Sequence, residues 1–146
     1  MTESAIIAGG CLCGAIRYRV TGTPRLVSNC HCSLCRRSSG APFVAWLTVR
    51  LDQFAVERGA LTRFASSVHG WRAFCVGCGT QIASGSSNYP RHVEVSVGSL
   101  DSPDRVRPER HVFWPDRLPW ASGDDGLPRH VGDARSPLVD NPGVAG

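Results

Sequence analysis

Alternating apolar and polar positions predict that β-strands dominate this chain. Between residues 15 and 20, Ile16, Tyr18 and Val20 alternate with two arginines, which is the period of a strand with one buried face. Residues 93–97 repeat the pattern, with three valines around a glutamate and a serine, and predict a half-buried strand. Further strands are predicted at residues 43–49, 54–57, 61–64, 72–74 and 111–114.

Helical periodicity is almost absent by comparison. One short helical turn is predicted at residues 33–37, and Gly, Pro, Ser and Asn separate the other segments. The last segment, residues 132–146, is small, polar and proline-containing, so we expect a flexible C-terminal tail there. The pattern predicts a mainly β fold with little helix, formed by a single domain over residues 1–131.

Composition places the chain among globular proteins that need no disulfides. A length of 146 residues fits one domain, and 42% hydrophobic content is enough for a core. No apolar run approaches the roughly 18 residues of a membrane span, and the first ten residues lack the basic start of a signal peptide. We therefore expect a cytoplasmic protein with no membrane partner, in a compartment that keeps thiols reduced.

The charge pattern argues against nucleic-acid binding. The formal net charge is +4, but no segment carries a block of like charge that would form an electrostatic footprint. All 16 basic residues are arginine, which is typical of a GC-rich bacterial genome. We expect no nucleic-acid partner, and the sequence does not indicate an oligomeric state.

Seven cysteines form three clusters with the short spacings of metal ligands. They occur as C-x-C at Cys11 and Cys13, as C-x-C-x-x-C at Cys30, Cys32 and Cys35, and as C-x-x-C at Cys75 and Cys78. Disulfides are disfavoured because the number is odd, the expected compartment is reducing, and cysteines one residue apart would form a strained ring. Inert buried cysteines would not cluster in this way.

Zinc coordination explains both the spacing and the odd number. Thiolates on short turns supply two corners of a tetrahedron each, and a glycine follows Cys13 and Cys78 where a tight turn often needs positive φ. Cys11, Cys13, Cys75 and Cys78 are therefore predicted to form a closed structural site. Iron is the alternative metal there. The remaining three cysteines, residues 30, 32 and 35, would hold a second zinc with one open position, which is typical of catalytic sites.

Three sequence segments resemble one protein family. They are GCLCG at residues 10–14, CHCSLCR at residues 30–36 and FCVGCGT at residues 74–80. Their order and internal spacing resemble the glutathione-dependent formaldehyde-activating enzyme family, also called GFA or CENP-V domain proteins. The similarity covers about residues 8–130.

This resemblance implies a fold, a metal content and a reaction class. The fold would be the Mss4-like β-tent. The four-cysteine set would hold a structural zinc and the three-cysteine set a catalytic zinc, two per chain. The implied activity is that of a carbon–sulfur lyase that forms or breaks S-hydroxymethylglutathione, so the small-molecule partner would be a thiol or thiol adduct such as glutathione.

Side chains near the open site are the next candidates. Arg36 and Arg37 follow Cys35 directly, and they are predicted to offset the negative charge of three thiolates or to bind a glutathione carboxylate. A solvated surface pair is the alternative for them. His31 lies between two ligands and alternation points it away from the metal, so we expect it to support the ligands or to lie at the surface rather than to bind the metal. The other four histidines are expected to be structural or exposed, and no general acid or base is identified.

Two other functions remain open at this point. One is a non-catalytic zinc module that binds a protein partner, in which a fourth protein ligand would close the second site. The other is a thiol redox or metal-buffer protein, in which oxidation would release zinc and form disulfides. The predicted open position favours the enzyme, because a scaffold has no need of it.

Overall fold

The computed structural model describes residues 5–121 and 123–139. Its strands are β1 (Ile6–Gly10), β2 (Arg17–Thr21), β3 (Leu26–Cys30), β4 (Val44–Arg50), β5 (Phe54–Arg58), β6 (Thr62–Ala65), β7 (Gly70–Phe74), β8 (Gln81–Ser86), β9 (His92–Ser96) and β10 (Arg110–Val112). These residues contain one α-helix, α1 (Ser33–Ser39). Short 3-10 turns occur at Leu51–Gln53, Val97–Ser99, Pro103–Arg105, Trp114–Asp116 and Pro119–Ala121. The fold is therefore mainly β, as predicted. No helix among the described residues is long and apolar enough to cross a membrane.

The strands form two sheets that share one hydrophobic core. A three-stranded antiparallel sheet has the order β1-β2-β5, and a seven-stranded sheet has the order β10-β3-β4-β9-β8-β7-β6. In the larger sheet only the β10–β3 pair is parallel among the described strands. Ile16, just before β2, and Tyr18 and Val20 of β2 share one core with Leu47 and Val95 of the larger sheet, so the predicted apolar face of residues 15–20 is confirmed.

The other face of the larger sheet carries polar side chains. The strand register places five residues, four of them polar, in one row across β3, β4, β9, β8 and β7. This row, called the polar row below, consists of Leu26, Thr48, Glu94, Ser84 and Arg72. Because side chains alternate along a strand, residues opposite each other in register share a face. The sheet is thus covered on its apolar face by core, while the opposite face supplies the wall of a cavity.

Seven of the strands overlap the segments predicted from alternation, and β1, β3 and β8 were missed. All five residues of β3 are buried or half-buried, so no polar face marks the strand in the sequence. The small residues of β8 give little apolar signal, yet they are required: a Cβ at Gly85 would overlap the ring of Trp71. The predicted turn at residues 33–37 is the first part of α1.

The described part of the C-terminal segment contacts the rest of the fold, and the flexibility expected of residues 132–146 stays a prediction. His130 and Leu138 form a β-bridge, and the Nδ1 atom of His130 lies 2.9 Å from the carbonyl oxygen of Ser136. The hydroxyl group of Tyr89 donates to the carboxylate of Asp133 at 2.9 Å. Backbone pairing and this side-chain contact return residues 132–139 to the fold, whereas residues 140–146 lie outside the described residues.

Candidate functional site

One cluster of four cysteine sulfurs lies where the two sheets meet. The Sγ atoms of Cys11, Cys13, Cys75 and Cys78 all lie within 4.8 Å of one another. The first two belong to the turn between β1 and β2 in the smaller sheet, and the other two to the turn between β7 and β8 in the larger sheet. These are the four cysteines that the sequence grouped together. An ion held by them would join the two sheets.

Glycines shape both cysteine turns. Gly14 and Gly79 have φ values of 81° and 77°, in the left-handed region that a side chain disfavours. The N–H of Gly14 donates to the carbonyl of Cys11 at 3.1 Å, and that of Gly79 donates to the carbonyl of Cys75 at 2.7 Å. Both turns therefore curl so that their sulfurs converge, which is why glycine follows each pair in the sequence.

Thr80 ties the two turns together and was missed by sequence reasoning. Its hydroxyl oxygen accepts the N–H of Leu12 at 3.0 Å and lies 3.2 Å from the sulfur of Cys78. This hydrogen bond from the hydroxyl group, followed by backbone hydrogen bonds from Thr80 and Cys13, lowers the pKa of the Cys78 thiol to about 5. The N–H of Ile16 likewise donates to the sulfur of Cys11 at 3.2 Å. Such neutral donors favour the thiolate form that a metal ligand requires.

A second cluster lies at the junction of β3 and α1. Cys30 ends β3, Cys32 is the N-cap residue of α1, and Cys35 lies in its first turn, with all three sulfurs within 4.8 Å of one another. The sulfur of Cys32 accepts the N–H of Cys35 at 3.3 Å, so one ligand atom also caps the helix. Cys30 and Cys35 are buried, whereas Cys32 is partly exposed.

The crowding of these three sulfurs tests whether a metal fits. Hydrogen bonds from the thiols of Cys30 and Cys35 lower the pKa of Cys32, whereas the hydrogen bond with Cys32 raises the pKa of Cys30. Three thiolates at this spacing repel one another unless a cation lies between them. An all-sulfur donor set is the one that Zn²⁺ prefers, so both clusters fit zinc, and the seven cysteines are all free rather than bridged.

The cation nearest to the three-cysteine cluster is Arg72 rather than either predicted arginine. The sulfur of Cys35 accepts hydrogen bonds from the indole N–H of Trp46 at 3.3 Å and from both terminal nitrogens of Arg72 at 3.4 and 3.5 Å. Arg72 is buried, so its charge acts on the sulfurs with little screening by solvent. The sequence offered no signal for this contact, because 37 residues separate the two partners.

Arg36 and Arg37 lie elsewhere on α1. Neither side chain lines the cavity that exposes the three sulfurs, and Arg37 instead lines a neighbouring hollow of about 510 Å³. The contact of Arg36 and Arg37 with a thiol carboxylate stays a prediction. Their positions outside this cavity do not favour it.

The three-cysteine cluster opens into a cavity of about 780 Å³. All three of these cysteines line it, together with the polar row of the larger sheet. Its charged lining residues are Arg25, Arg72, Glu94, Arg110, Asp133 and Arg135. The wall is rich in arginine, so the cavity suits a ligand that carries negative charge.

Two paired contacts border this cavity. Tyr89 donates to Asp133, and the guanidinium group of Arg135 stacks 4.9 Å from the Tyr89 ring. A nitrogen of Arg25 lies 3.2 Å from the Nε2 atom of His92. These contacts hold the side chains of separate loops and strands around the opening.

Two buried histidines lie next to the three-cysteine cluster, since one of them, His31, stands between Cys30 and Cys32 in the chain. The Nε2 atom of His31 lies 2.8 Å from Nδ1 of His111, whose Nε2 lies 2.8 Å from the carboxylate of Asp125. Burial lowers the pKa of His31 to about 4, so this ring is neutral. His31 is not a member of either cysteine cluster, in agreement with the expectation that it is not a ligand. His111 was expected to be structural or exposed, and it is buried.

Comparisons with known proteins agree with the geometry. The model of the family described as glutathione-dependent formaldehyde-activating enzyme matches residues 6–116. A candidate glutathione-dependent formaldehyde-activating enzyme of Halomonas elongata is 27% identical over 124 residues, which cover 79% of each chain. An uncharacterized lyase of Schizosaccharomyces pombe is 34% identical over 74 residues, 51% of this chain and 53% of that protein, so this match spans about half of the relative.

A solved structure supports the fold. The crystal structure of a Rhodobacter sphaeroides protein superposes with a TM-score of 0.56 at 30% sequence identity. The match covers 69% of this chain and 91% of that one. Together with the family match, it confirms the fold class expected from the resemblance of the cysteine motifs.

Proposed function

Since this chain belongs to the glutathione-dependent formaldehyde-activating enzyme family, we propose that it is a zinc-dependent carbon–sulfur lyase acting on a thiol–aldehyde adduct. The observation that carries the proposal is the three-cysteine cluster at the wall of a cavity of about 780 Å³. A cluster that served only to hold the fold together would need no cavity beside it. S-hydroxymethylglutathione is the candidate adduct.

The donor sets assign different tasks to the two sites. Cys11, Cys13, Cys75 and Cys78 would complete a tetrahedron by themselves, so this site would be structural. Among the described residues, the second cluster groups only three ligating side chains, which leaves one corner for a substrate atom. Zinc bound there supplies Lewis acidity and a position for a thiolate or carbonyl oxygen.

The protein's own side chains would bind and orient the adduct. Arg72 and Trp46 donate hydrogen bonds to the sulfur of Cys35, and the positive charge of Arg72 would offset the negative charge of the cluster. Arg25 and Arg110 line the same cavity and can bind the carboxylates of an acidic thiol with two parallel hydrogen bonds. The cavity would thus hold a bulky thiol carrier while its sulfur lies near the cysteines.

The chemistry requires one proton transfer. When the adduct breaks, its hydroxyl group loses a proton, and the electrons of the O–H bond form the carbonyl double bond. The electrons of the carbon–sulfur bond stay on sulfur, which leaves as a thiolate. Formation of the adduct runs in the opposite direction. The arginine-lined wall would stabilise the anionic thiol.

An adduct assay on the metal-loaded protein tests the proposal. NMR can follow the interconversion of S-hydroxymethylglutathione with formaldehyde and glutathione, with the uncatalysed rate measured in parallel. We expect the native protein to accelerate exchange, and Cys32→Ser to abolish the acceleration and to lose one zinc while remaining folded. If the native protein holds two zinc ions and gives only the uncatalysed rate for every thiol tried, the zinc-module function replaces the lyase.

A further inference from the structure

Glu94 occupies the centre of the polar row in the cavity wall. It is paired in register with Thr48 of β4 on one side and Ser84 of β8 on the other, and both neighbours carry short uncharged side chains. Arg72 is the next residue in the row beyond Ser84. Two strand spacings of about 4.8 Å therefore separate the backbones of Glu94 and Arg72, and Arg72 in turn reaches the sulfur of Cys35.

In the part of the chain that the structure describes, the carboxyl group of Glu94 has no hydrogen-bonding or ion-pair partner. Among the described residues, no side chain or backbone group forms a hydrogen bond or ion pair with it, and none of the cysteines contacts it through a hydrogen bond. It lines the cavity, with a partly buried side chain. A partly buried carboxyl group without a partner destabilises a fold, so its presence in a ligand cavity points to a role in chemistry.

The surroundings tune this group toward proton transfer near neutral pH. Burial raises the pKa of Glu94 to about 7, against which the positive charge of Arg72 acts in the opposite direction. Cys32 and Asp133 face it as further charged groups and add to the rise in its pKa. A general base is most effective when its pKa lies near the working pH.

The other acid–base side chains of the cavity wall are already paired. Asp133 accepts a hydrogen bond from Tyr89, His92 lies against Arg25, and His69 lies 3.0 Å from the hydroxyl of Ser87. His31 and His111 bond to each other behind the cluster and do not line the cavity. Glu94 is thus the unpaired proton acceptor that faces the space where an adduct would lie.

We propose that Glu94 is the general acid–base residue of the lyase reaction, an inference that rests on the proposed function. In the direction of breakdown, its carboxylate takes the hydroxyl proton of the adduct. The freed electron pair closes the carbonyl bond, and the carbon–sulfur electrons stay on the departing thiolate. Glu94 then releases the proton to solvent. In the direction of synthesis, the protonated carboxyl group returns a proton to the oxygen as sulfur attacks the aldehyde carbon.

Two substitutions and a matched control test the role by kinetics. Glu94→Gln keeps the shape but cannot accept a proton, and Glu94→Asp keeps the carboxylate on a shorter stem. Positioned general bases contribute about 10²–10⁴-fold, so we expect Glu94→Gln to lower kcat for breakdown by that factor with KM nearly unchanged. Glu94→Asp should recover part of the rate. Glu57→Gln changes a surface carboxylate on β5 that pairs with Arg19, outside the cavity, and should match the native rate.

The pH profile and a spectroscopic titration supply independent readouts. In the native protein, kcat/KM for breakdown should rise with pH through about 7, because the carboxylate form is the active one, and this limb should disappear in Glu94→Gln. The chain has four glutamates, at positions 3, 57, 94 and 109, so a ¹³C-labelled carboxyl resonance that titrates near 7 can be assigned by its loss in Glu94→Gln. Zinc content should stay equal in both proteins.

The outcomes separate this inference from the proposed function. If the native protein is inactive on all adducts, the lyase function fails and takes the role of Glu94 with it. If the native protein is active and the kcat of Glu94→Gln lies within threefold of the native value, the acid–base role is overturned and the lyase function stands. The same holds if Glu94→Gln changes KM alone. An ordinary carboxyl titration near pH 4 in the metal-loaded protein would overturn it as well.

Discussion

The two cysteine clusters use the same ligand in opposite surroundings. The four-cysteine cluster lies on two turns, includes the exposed Cys13, and receives hydrogen bonds from neutral groups such as the Ile16 N–H and the Thr80 hydroxyl. The three-cysteine cluster has two buried members, receives hydrogen bonds from the charged Arg72, and opens on a cavity. Ligand type alone therefore does not separate a structural site from a reactive one.

The difference lies in what completes each cluster. Four sulfurs would fill the corners of a tetrahedron and leave no position for a substrate, and an ion held between the two sheets would have a structural task. Three sulfurs leave a corner, and the neighbouring side chains then decide what can enter it. An arginine-rich wall beside the open corner favours an anionic thiol.

The largest expected difference between the clusters is in stability. Cys75→Ser or Cys78→Ser should unfold the protein or make it insoluble, because structural zinc contributes on the order of 10 kcal/mol in small domains. Cys32→Ser should remain folded and lose one of two zinc ions. Circular dichroism, thermal unfolding and elemental analysis measure these outcomes. Indistinguishable melting of the two sets would remove the distinction drawn above.

Removal of Arg72 tests whether its positive charge strengthens metal binding at the three-cysteine cluster. Arg72→Met keeps much of the buried stem but removes the donors to Cys35, and changes of this kind typically weaken metal binding or activity by about 10–100-fold. Competition with a chromophoric chelator gives the affinity of the second zinc. Arg37→Met on α1 is the control. An equal loss in both variants would restore the prediction that the α1 arginines offset the cluster's charge.

The histidine pair behind the three-cysteine cluster should affect stability rather than chemistry. Asp125→Asn or His111→Phe weakens or removes a hydrogen bond to a buried ring, so we expect a loss of about 1–3 kcal/mol of unfolding free energy. Denaturant unfolding of the zinc-loaded protein measures it. Asp124→Asn is the matched control, since its side chain is 92% exposed and should change stability little. A control as damaging as Asp125→Asn would contradict this account.

Apart from its effect on the rate, Glu94 should change the free energy of unfolding in a way that depends on pH. Its pKa is raised to about 7 on folding, so its contribution to stability is present below about 4.5 and is lost as the pH rises through 7. The stability of Glu94→Gln relative to the native protein should therefore increase between pH 5 and 8, by roughly 2–3 kcal/mol, since one pKa unit corresponds to about 1.4 kcal/mol. Thermal unfolding at the two pH values measures the gain. A constant difference across this range would show that the carboxyl group titrates normally.

Several expectations from sequence hold because they depend on local geometry. Alternation placed seven strands, and the spacing of the cysteines grouped them as four and three. The strands β1, β3 and β8 escaped because burial on both faces, small residues and glycines erase the period on which the prediction depends. For residues 93–97 the period was correct, but the face bearing Glu94 borders a cavity rather than open solvent.

The sequence by itself determined the cysteine turns, since a glycine that directly follows a cysteine acts through the covalent chain. Only the tertiary structure decided which charges surround the open cluster. Arg36 and Arg37 follow Cys35 in the chain, yet neither lines the cavity, while β7 brings Arg72 to the sulfur and β9 brings Glu94 into the same wall. The physical reason is strand register: it aligns residues tens of positions apart, and no local pattern in the chain encodes that pairing.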